Sequence, residues 1–308
     1  MLTSQNNFAL VRTELDAIFY QAFNDVDMIP GYADANTEDI FKKMTIDRQA
    51  YIQETFAGTG FFSETGENQG VSMDQAEFGY KKIHAVQDWT KGTEISKNYF
   101  DDDVHGTYTN IIRDIALKAR RTQDNNAFEV FRGAFDTTLT ADGSIFISTS
   151  HPLLKGGTQS NYIAYALSPD VLNQAINNLA TQKDQSGTIM GTYPSILLVE
   201  LSIFKYAKEI TESALIADSG NNNINFFRSA YGFKVYTSPY LSVAAGAPTG
   251  CWFLMSKNHS VTRMIRQGIV TSLRNWDLSN NRTYFYQANF REAVFVKDYV
   301  GVVGGKNQ

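Results

Sequence analysis

Four histidines are the residues of this chain best suited to acid–base or metal chemistry: His84, His105, His151 and His259. None of them stands at metal-ligand spacing from another histidine, a cysteine or a glutamate. A serine hydrolase needs a base that an acid holds in place, and the sequence has no G-x-S-x-G turn to present the nucleophile. The sequence therefore predicts no catalytic residue, no metal ligand and no cofactor.

Three further motifs have simpler structural interpretations. The adjacent Ser150 and His151 precede Pro152 and indicate a turn rather than a catalytic pair. The acidic run at 101–103 could bind a divalent cation, but its place before a helical pattern favours a helix cap. Cys251 starts an apolar run and is interpreted as a core residue, and a single cysteine cannot form an intrachain disulfide.

Composition limits the function classes. With 43% apolar and 19% charged residues over 308 positions, the chain can bury a sizeable core. The net charge of −5 argues against direct binding to nucleic-acid phosphates. No run approaches the ~20 apolar residues of a membrane span, and the first residues lack a signal peptide, so we expect folding in a reducing cytoplasm.

Apolar spacing predicts five helices, of which the segment 103–135 carries the strongest pattern. At roughly 1.5 Å per residue, a helix of this length is about 42 Å long and would form a spine for the surrounding chain. Ser168 and Pro169 suit the N-cap and first position of another helix. This second helix is predicted to extend to residue 181. The remaining three predicted helices cover 8–23, 38–44 and 202–212.

The segment 55–90 contains short β-type runs between glycines and predicts a long two-stranded hairpin. Such a hairpin is not stable alone in water. We expect that this segment and the N-terminal arm have too little apolar surface to hold themselves, so that other copies clamp them. Further strands are predicted at 195–200, 231–237, 251–256, 266–276, 283–291 and 294–303, with a turn at Asn280–Asn281.

Residues 93–162 resemble the major capsid proteins of tailed phages with the Hong Kong 97-type fold, and in particular the Mu-like major head subunits. The segment 93–103, with a serine and an aromatic residue before paired acids, is similar to the family's entry into the spine helix. Residues 128–136 are similar to its exit, and residues 142–153 and 156–161 to the chain beyond it.

The resemblance implies an α+β capsid fold with four parts. Residues 1–54 would form an N-terminal arm and 55–90 an extended β-hairpin loop over an adjacent subunit. A peripheral domain would comprise 91–160, with the spine helix 103–135. An α/β axial domain would cover 161–265, and 266–308 would supply a returning β-hairpin of the peripheral domain and a C-terminal strand.

The resemblance also implies a function. The chain would be a structural head protein, not an enzyme, that self-assembles into hexamers and pentamers of an icosahedral shell. The shell would enclose double-stranded DNA without sequence-specific binding. A separate scaffold, a portal and decoration proteins would be its partners, and the virion its location after assembly in the host bacterial cytoplasm. An encapsulin-like cellular compartment is the main alternative, and a hydrolase is a weaker one.

Nine residues are predicted to contact neighbouring subunits. They lie on the arm, on the hairpin and on the exposed side of the spine helix. Aromatic rings there would supply apolar contact area, and the paired basic residues would meet acidic loops. The predicted contact residues are Phe8, Phe19, Phe61, Phe62, Tyr80, Lys81, Lys82, Arg120 and Arg121.

Overall fold

The computed structural model describes most of the chain. The described residues are 4–24, 40–58, 61–67, 69–71, 73, 77–96, 106–214, 224–275 and 283–307. Side chains of 4–10 and 275 are outside this description. Among the described residues, no helix combines the length and apolar character needed to cross a bilayer.

The described helices are α1 Ser4–Asn24, α2 Thr107–Arg132, α3 Pro169–Ala180, α4 Phe204–Glu212 and α5 Phe226–Ala230. Short 3₁₀ turns occupy Leu201–Ile203, Pro239–Leu241 and Val243–Ala245. The strands are β1 Lys42–Thr45, β2 Ala50–Ala57, β3 Glu77–Ala85, β4 Gln87–Ser96, β5 His151–Pro152, β6 Thr158–Gln159, β7 Tyr162–Ile163, β8 Pro194–Val199, β9 Lys234–Tyr236, β10 Trp252–Ser256, β11 Val261–Asn275, β12 Thr283–Val296 and β13 Val302–Gly305.

The first large sheet has the order β1-β11-β12-β4. The long antiparallel pair β11 and β12 forms its centre, and β1 runs parallel to β11. Along β12, buried and half-buried residues alternate, which places one face of the sheet against the helices α1 and α2. Residues 266–275 and 283–291 of the predicted hairpin strands are confirmed as parts of β11 and β12, while Trp276 and the predicted turn at Asn280–Asn281 lie outside the described residues.

The second large sheet has the order β7-β13-β10-β8-β9. Its central strand β10 is buried at every position, as expected for a strand covered on both faces. Ser168 caps α3 by accepting a hydrogen bond from the Val171 backbone N–H, with Pro169 at the first helical position. The predicted helix from 168 and the strands near 195–200, 231–237 and 251–256 are therefore confirmed, as is the buried position of Cys251.

Helix α2 confirms the predicted spine, with a shorter span than 103–135. Its buried residues recur at helical spacing and include Ile112, Ile115 and Phe128. The N-cap position is held by Gly106 with a positive φ of 65°, not by the acidic run at 101–103, which lies outside the described residues. The described spine therefore begins at Thr107, and the acidic cap at 101–103 stays a prediction.

Two secondary-structure predictions are wrong. Residues 42–44, predicted to be helical, belong to β1, because Phe41 enters the core and the next residues alternate with the period of a strand. Glu38 and Asp39 lie outside the described residues. The predicted final strand 294–303 is interrupted, because β12 ends at Val296 and β13 at 302–305 pairs in the other sheet.

The described side chains of α1, from residue 11 onward, pack against their own chain. Leu15 and Phe19 of α1 are 2% and 0% exposed, and they pack against α2 and the sheet strands β11 and β12. Asp16 also accepts hydrogen bonds from the hydroxyls of Thr271 and Tyr286. The prediction that other copies must clamp this helix is wrong, because its apolar stripe finds a partner surface within its own chain.

Candidate functional site

The hairpin of β2 and β3 presents an apolar face to solvent. Ile52 lies opposite Ile83, and Phe56 opposite Phe78, in the antiparallel register. These four side chains are between 54% and 79% exposed. Large apolar side chains clustered on one exposed sheet face are typical of surfaces that another protein covers.

A charged pair divides this apolar face. The Lys81 ammonium lies 2.8 Å from the Glu54 carboxylate, on the cross-strand pair between Ile52–Ile83 and Phe56–Phe78. Both side chains are more than half exposed, so water screens their attraction and the pair adds little stability. The outward face of the hairpin is therefore an apolar strip interrupted by one charged cross-strand pair.

The opposite face anchors the base of the hairpin to the body. The imidazole of His84 stacks on the ring of Phe295 with 3.7 Å between ring centres. Its Nε2 lies 3.0 Å from Gln53 Oε1, and the Gln53 amide donates to the carbonyl oxygen of Lys297 at 2.7 Å. Lys82 Nζ donates to the carbonyl oxygen of Leu139 at 2.7 Å. The inward face of the hairpin is thus bonded to the body, and its outward face remains exposed to solvent.

The environment of His84 favours its uncharged form. Burial lowers the pKa of His84, and the positive charges of Lys82 and Lys297 lower it further, to about 4. At neutral pH the imidazole is therefore uncharged, which suits its stacking against Phe295.

The far end of the hairpin is also exposed and apolar. Phe61 and Phe62 are 80% and 106% exposed, and Val71 and Met73 are 78% and 89% exposed. A hydrogen bond from the Gln69 backbone N–H to the Gly66 carbonyl oxygen closes a turn between them. We call residues 61–73 the hairpin tip.

The nine predicted contact residues divide into several groups. Phe61, Phe62, Lys81 and Arg121 are exposed, and Tyr80 is half-buried. Lys82 is half-buried and bonded to Leu139 as described above. The side chain of Phe8 lies outside the described residues. The exposed residues stay predicted contact residues.

Two of the nine predictions are contradicted by burial. Phe19 is fully buried between α2 and β12, and its ring lies 6.2 Å from that of Tyr286. Arg120 is 7% exposed and lies 3.9 Å from the Asp124 carboxylate, one turn further along the same helix. Neither side chain can reach a neighbouring subunit, because each is already enclosed by its own chain.

Part of the exposed strip was not predicted from the sequence. Ile52, Phe56, Phe78 and Ile83 were not among the predicted contact residues, although each stands on the outward face. The usable signal was the alternation in the two strands, where buried Gln53 and His84 face inward. Because the inward positions include Gln53 and His84 and the outward ones include isoleucine and phenylalanine, an inside–outside assignment by hydrophobicity would have placed these residues on the wrong faces.

His151 forms a buried polar cluster. Its Nδ1 lies 2.8 Å from the Asp142 carboxylate and its Nε2 lies 3.2 Å from Asn161 Oδ1. The ring also stacks on Tyr299 with centres 3.9 Å apart. Both ring nitrogens lie within hydrogen-bond distance of side-chain oxygens and the residue is 0% exposed, so this histidine secures a turn and is not accessible to a substrate.

Asp142 is held in its charged form within that cluster. Burial raises its pKa, but hydrogen bonds from His151, Thr140 and the Ser144 backbone N–H outweigh the burial, and the pKa of Asp142 is lowered. Gly143, with φ of 80°, completes the turn that follows Asp142. The arrangement ties 140–144 to 151 and 161 and serves the local fold.

The other reactive side chains have structural surroundings. His259 is 1% exposed, and its Nδ1 accepts a hydrogen bond from the Val261 backbone N–H. Burial raises the pKa of the Cys251 thiol to about 12, so it stays protonated. Within the described part of the chain, no three histidine, cysteine or carboxylate side chains gather to hold a metal ion. His105 lies outside the described residues.

A family model described as phage capsid protein matches residues 79–304. This span runs from within β3 to within β13 and includes the spine helix and the strands of both large sheets except β1. No curated protein sequence matches the chain.

Several solved structures are similar to this fold over nearly the whole chain. A structure from Microbacterium phage Oxtober96 has a TM-score of 0.55 and 11% identity, with 92% of this chain and 94% of that chain covered. The mature capsid of bacteriophage PhiM1 has a TM-score of 0.57 and 12% identity, with 92% and 90% covered. A virus-like particle from Pyrococcus furiosus has a TM-score of 0.51 and 8% identity, with 96% and 98% covered.

Proposed function

Since the chain belongs to the phage capsid protein family, we propose that it is the major head subunit of a tailed phage. Copies of the chain would form hexamers and pentamers that close an icosahedral shell around double-stranded DNA. As a phage capsid protein, the chain is located in the virion. The predicted α+β Hong Kong 97-type fold is confirmed. The finer likeness of residues 93–162 to Mu-like head subunits is part of the proposal.

The observation that carries the proposal of self-assembly is the two-sided hairpin. Its polar inward face is bonded to the body through Gln53 and His84, while its outward face exposes Ile52, Phe56, Phe78 and Ile83. Fully burying a side chain of this size contributes about 2 kcal/mol. Four such side chains, together with the tip, supply a strong reason for a neighbouring copy to cover the hairpin.

The role is structural in this proposal. The buried surroundings of His151, His259 and Cys251 explain these side chains by packing and hydrogen bonding, without a reaction. The division into arm 1–54, loop 55–90, peripheral parts 91–160 and 266–308, and axial part 161–265 is also proposed. A separate scaffold and a portal would be the partners of assembly.

The alternative of an encapsulin-like shell has weaker support. The virus-like particle from Pyrococcus furiosus has a similar fold at 8% identity, which is a likeness of fold alone. The family model that matches 79–304 is instead described as phage capsid protein. The phage head is therefore the function that the observations favour.

Assembly can be measured directly. The purified chain, expressed alone and with its scaffold, should form closed particles visible by light scattering and negative-stain microscopy. The double variant Phe56→Ser/Phe78→Ser should stay folded, because both rings are exposed, but should form few particles. The matched control Tyr165→Ser/Tyr193→Ser changes two rings that are 65% and 72% exposed elsewhere and should assemble normally. A chain that stays monomeric under all these conditions would refute the proposal.

A further inference from the structure

A polar cavity of about 540 Å³ lies where the base of the hairpin meets the spine helix and the first large sheet. Residues 82–85 of β3 and 292–296 of β12 line it, together with one side of α2 and the turn 137–139. Its size is within the range of about 300–1,000 Å³ that is usual for ligand pockets. We call it the base cavity.

Strand β12 presents an open backbone edge beside the base cavity. Its pairing with β4 ends at Glu292, opposite Gln87, whereas its pairing with β11 continues to Val296, opposite Val261. Backbone groups of successive residues in a strand point to alternate sides, so two of the residues 293–296 direct their N–H and C=O groups away from β11. Within the described part of the chain, no other backbone group bonds to this edge. Such an edge is a template for a further strand.

Two buried polar atoms near this edge have no hydrogen-bond partner among the described residues. Glu292 is 2% exposed, and its Oε2 accepts hydrogen bonds from Arg263 at 3.0 and 2.7 Å, whereas its Oε1 is enclosed without a partner. The amide nitrogen of Asn126 on α2 is enclosed in the same way. Both residues line the base cavity. Because buried polar groups are nearly always hydrogen-bonded, this acceptor and this donor indicate a ligand that supplies their partners.

The charges of the base cavity favour a neutral ligand. The Lys82 ammonium donates to the carbonyl oxygen of Leu139 at 2.7 Å, and the Glu292 carboxylate is paired with Arg263. The exposed Glu129 adds a second carboxylate to the lining. Because groups of both signs line one cavity, neither an anion nor a cation finds a complementary field. A peptide amide is neutral, and it both donates and accepts hydrogen bonds.

We propose that the base cavity binds an extended peptide segment of a partner protein. The segment would add a strand to the open edge of β12, and its amides would bond to Glu292 Oε1 and Asn126 Nδ2. Main-chain hydrogen bonds would give affinity, and side chains at alternate positions would select the sequence. A single water molecule occupies only about 30 Å³, so water at the two buried atoms would leave most of the cavity unfilled.

The hairpin tip of a second copy is a poor occupant of the base cavity. Its carboxylates Glu64 and Glu67 are exposed and would approach Glu129 and Glu292 as like charges. A partner segment with neutral side chains avoids this repulsion. The inference also does not depend on the proposed shell function, because one subunit carries the whole site.

Peptide binding by unassembled subunits tests the site. The probe is a positional-scanning library of acetylated and amidated pentapeptides, and the selected sequences are titrated by calorimetry. We expect the best of them to bind with a Kd on the order of 100 µM or tighter. N-methylation of alternate residues in one register should lower the affinity at least about tenfold, because it removes the N–H groups that face β12. Methylation in the other register should have little effect.

Two variants place the binding in the base cavity. Asn126→Leu removes the buried donor and should lower the peptide affinity at least about fivefold. Thr137→Trp adds a large ring to an exposed residue of the lining and should block binding without disturbing the core. The matched control is Asn125→Leu, because Asn125 is also half-buried on α2 but does not line the cavity. Circular dichroism verifies that the three variants are folded.

Three outcomes would overturn the inference. They are the failure of every pentapeptide to bind with a Kd below about 1 mM, equal affinities of the Asn126→Leu and Asn125→Leu chains, and equal effects of methylation in both registers. Because the measurement uses unassembled subunits, each of them leaves the shell function standing. If no peptide bound and Asn126→Leu alone lost its particles, the cavity would be a contact between copies instead.

Discussion

His84 and His151 are both buried imidazoles, but their nearest charges have opposite signs. His84 faces the ammonium groups of Lys82 and Lys297, which with burial hold its pKa near 4. His151 faces the carboxylate of Asp142 at 2.8 Å. The first histidine holds the hairpin to the body in an uncharged form, and the second joins two turns through hydrogen bonds. Acid should therefore weaken the attachment of the hairpin.

Protonation of His84 should make stability depend on pH. Its pKa is about 4 in the folded chain and about 6.5 in an unfolded one, so the unfolded chain binds more protons between these values. The contribution is complete above about pH 6.5 and is lost as the pH falls toward 4. Thermal unfolding of unassembled subunits should show a smaller loss of Tm over this range for His84→Gln than for the unmodified chain.

The comparison of the two chains isolates His84 from other groups that titrate. Of the side chains around it, Gln53 and Phe295 do not titrate, and Lys82 and Lys297 stay charged between pH 4 and 7. The carboxylates of the chain titrate equally in both proteins, so their effects on Tm cancel in the comparison. Parallel Tm curves for the two chains would show that His84 has no such role.

At the scale of elements, the sequence identified the helices and strands with a clear local signal. The spine helix was predicted because its apolar residues recur at helical spacing over more than ten positions, and the strands in β11 and β12 were predicted because they flank the turn expected at Asn280–Asn281. The segment 38–44 was too short to distinguish a period of 3.6 from a period of 2, and β1 was missed. Phe19 was misassigned because its burial depends on Tyr286 and Ile115, which are distant in sequence.

The hairpin shows a different limit. A two-stranded hairpin was predicted over 55–90 from glycine spacing and β-type runs, and the structure has an antiparallel pair whose first strand, β2, lies mostly before that segment. Which face points inward could not be predicted, since the buried positions carry Gln53 and His84 and the exposed ones carry isoleucine and phenylalanine. That inversion follows from the hydrogen bond of Gln53 to Lys297, which only the folded chain provides.

Removing the hairpin tip should separate folding from assembly. Ala57 and Glu77 are opposite each other in the ladder, so residues 58–76 can be replaced by an Asn-Gly turn that joins β2 to β3. Because the side chains of the tip are exposed, the shortened subunit should keep a Tm within about 2 °C, which corresponds to roughly 1 kcal/mol for a chain of this length. It should nevertheless form no closed particles by negative-stain microscopy.

The matched control keeps the length of the tip and changes only its apolar rings. Phe61→Ser/Phe62→Ser should reduce particle yield to a smaller extent than the shortened hairpin, because the tip acidic residues remain. Normal particles from the shortened subunit would contradict the assignment of this loop as an assembly element.

At the scale of the whole molecule, the two large sheets share one core. The largest apolar cluster takes Phe128 and Phe131 from the spine helix, Leu198 from β8, Phe253 from β10 and Val296 from β12. Phe41, next to β1, joins the same cluster. The predicted division into peripheral and axial parts stays a prediction, but these contacts join segments from both sides of it. We therefore expect the described body to unfold as one cooperative unit.

Phe131 is the residue at which this cooperativity can be measured. It is fully buried, and its ring lies 5.8 Å from Phe41, 6.5 Å from Phe146 and 5.1 Å from Phe253, which come from three separate segments. Phe131→Ala should lower the free energy of unfolding by about 3–5 kcal/mol. Calorimetry of unassembled subunits should still show a single transition at a lower Tm, whereas Phe62→Ala, which changes a fully exposed ring, should leave the Tm unchanged. If Phe131→Ala produced two separate transitions, one of them at the original Tm, the two sheets would unfold independently and the shared core would not couple them.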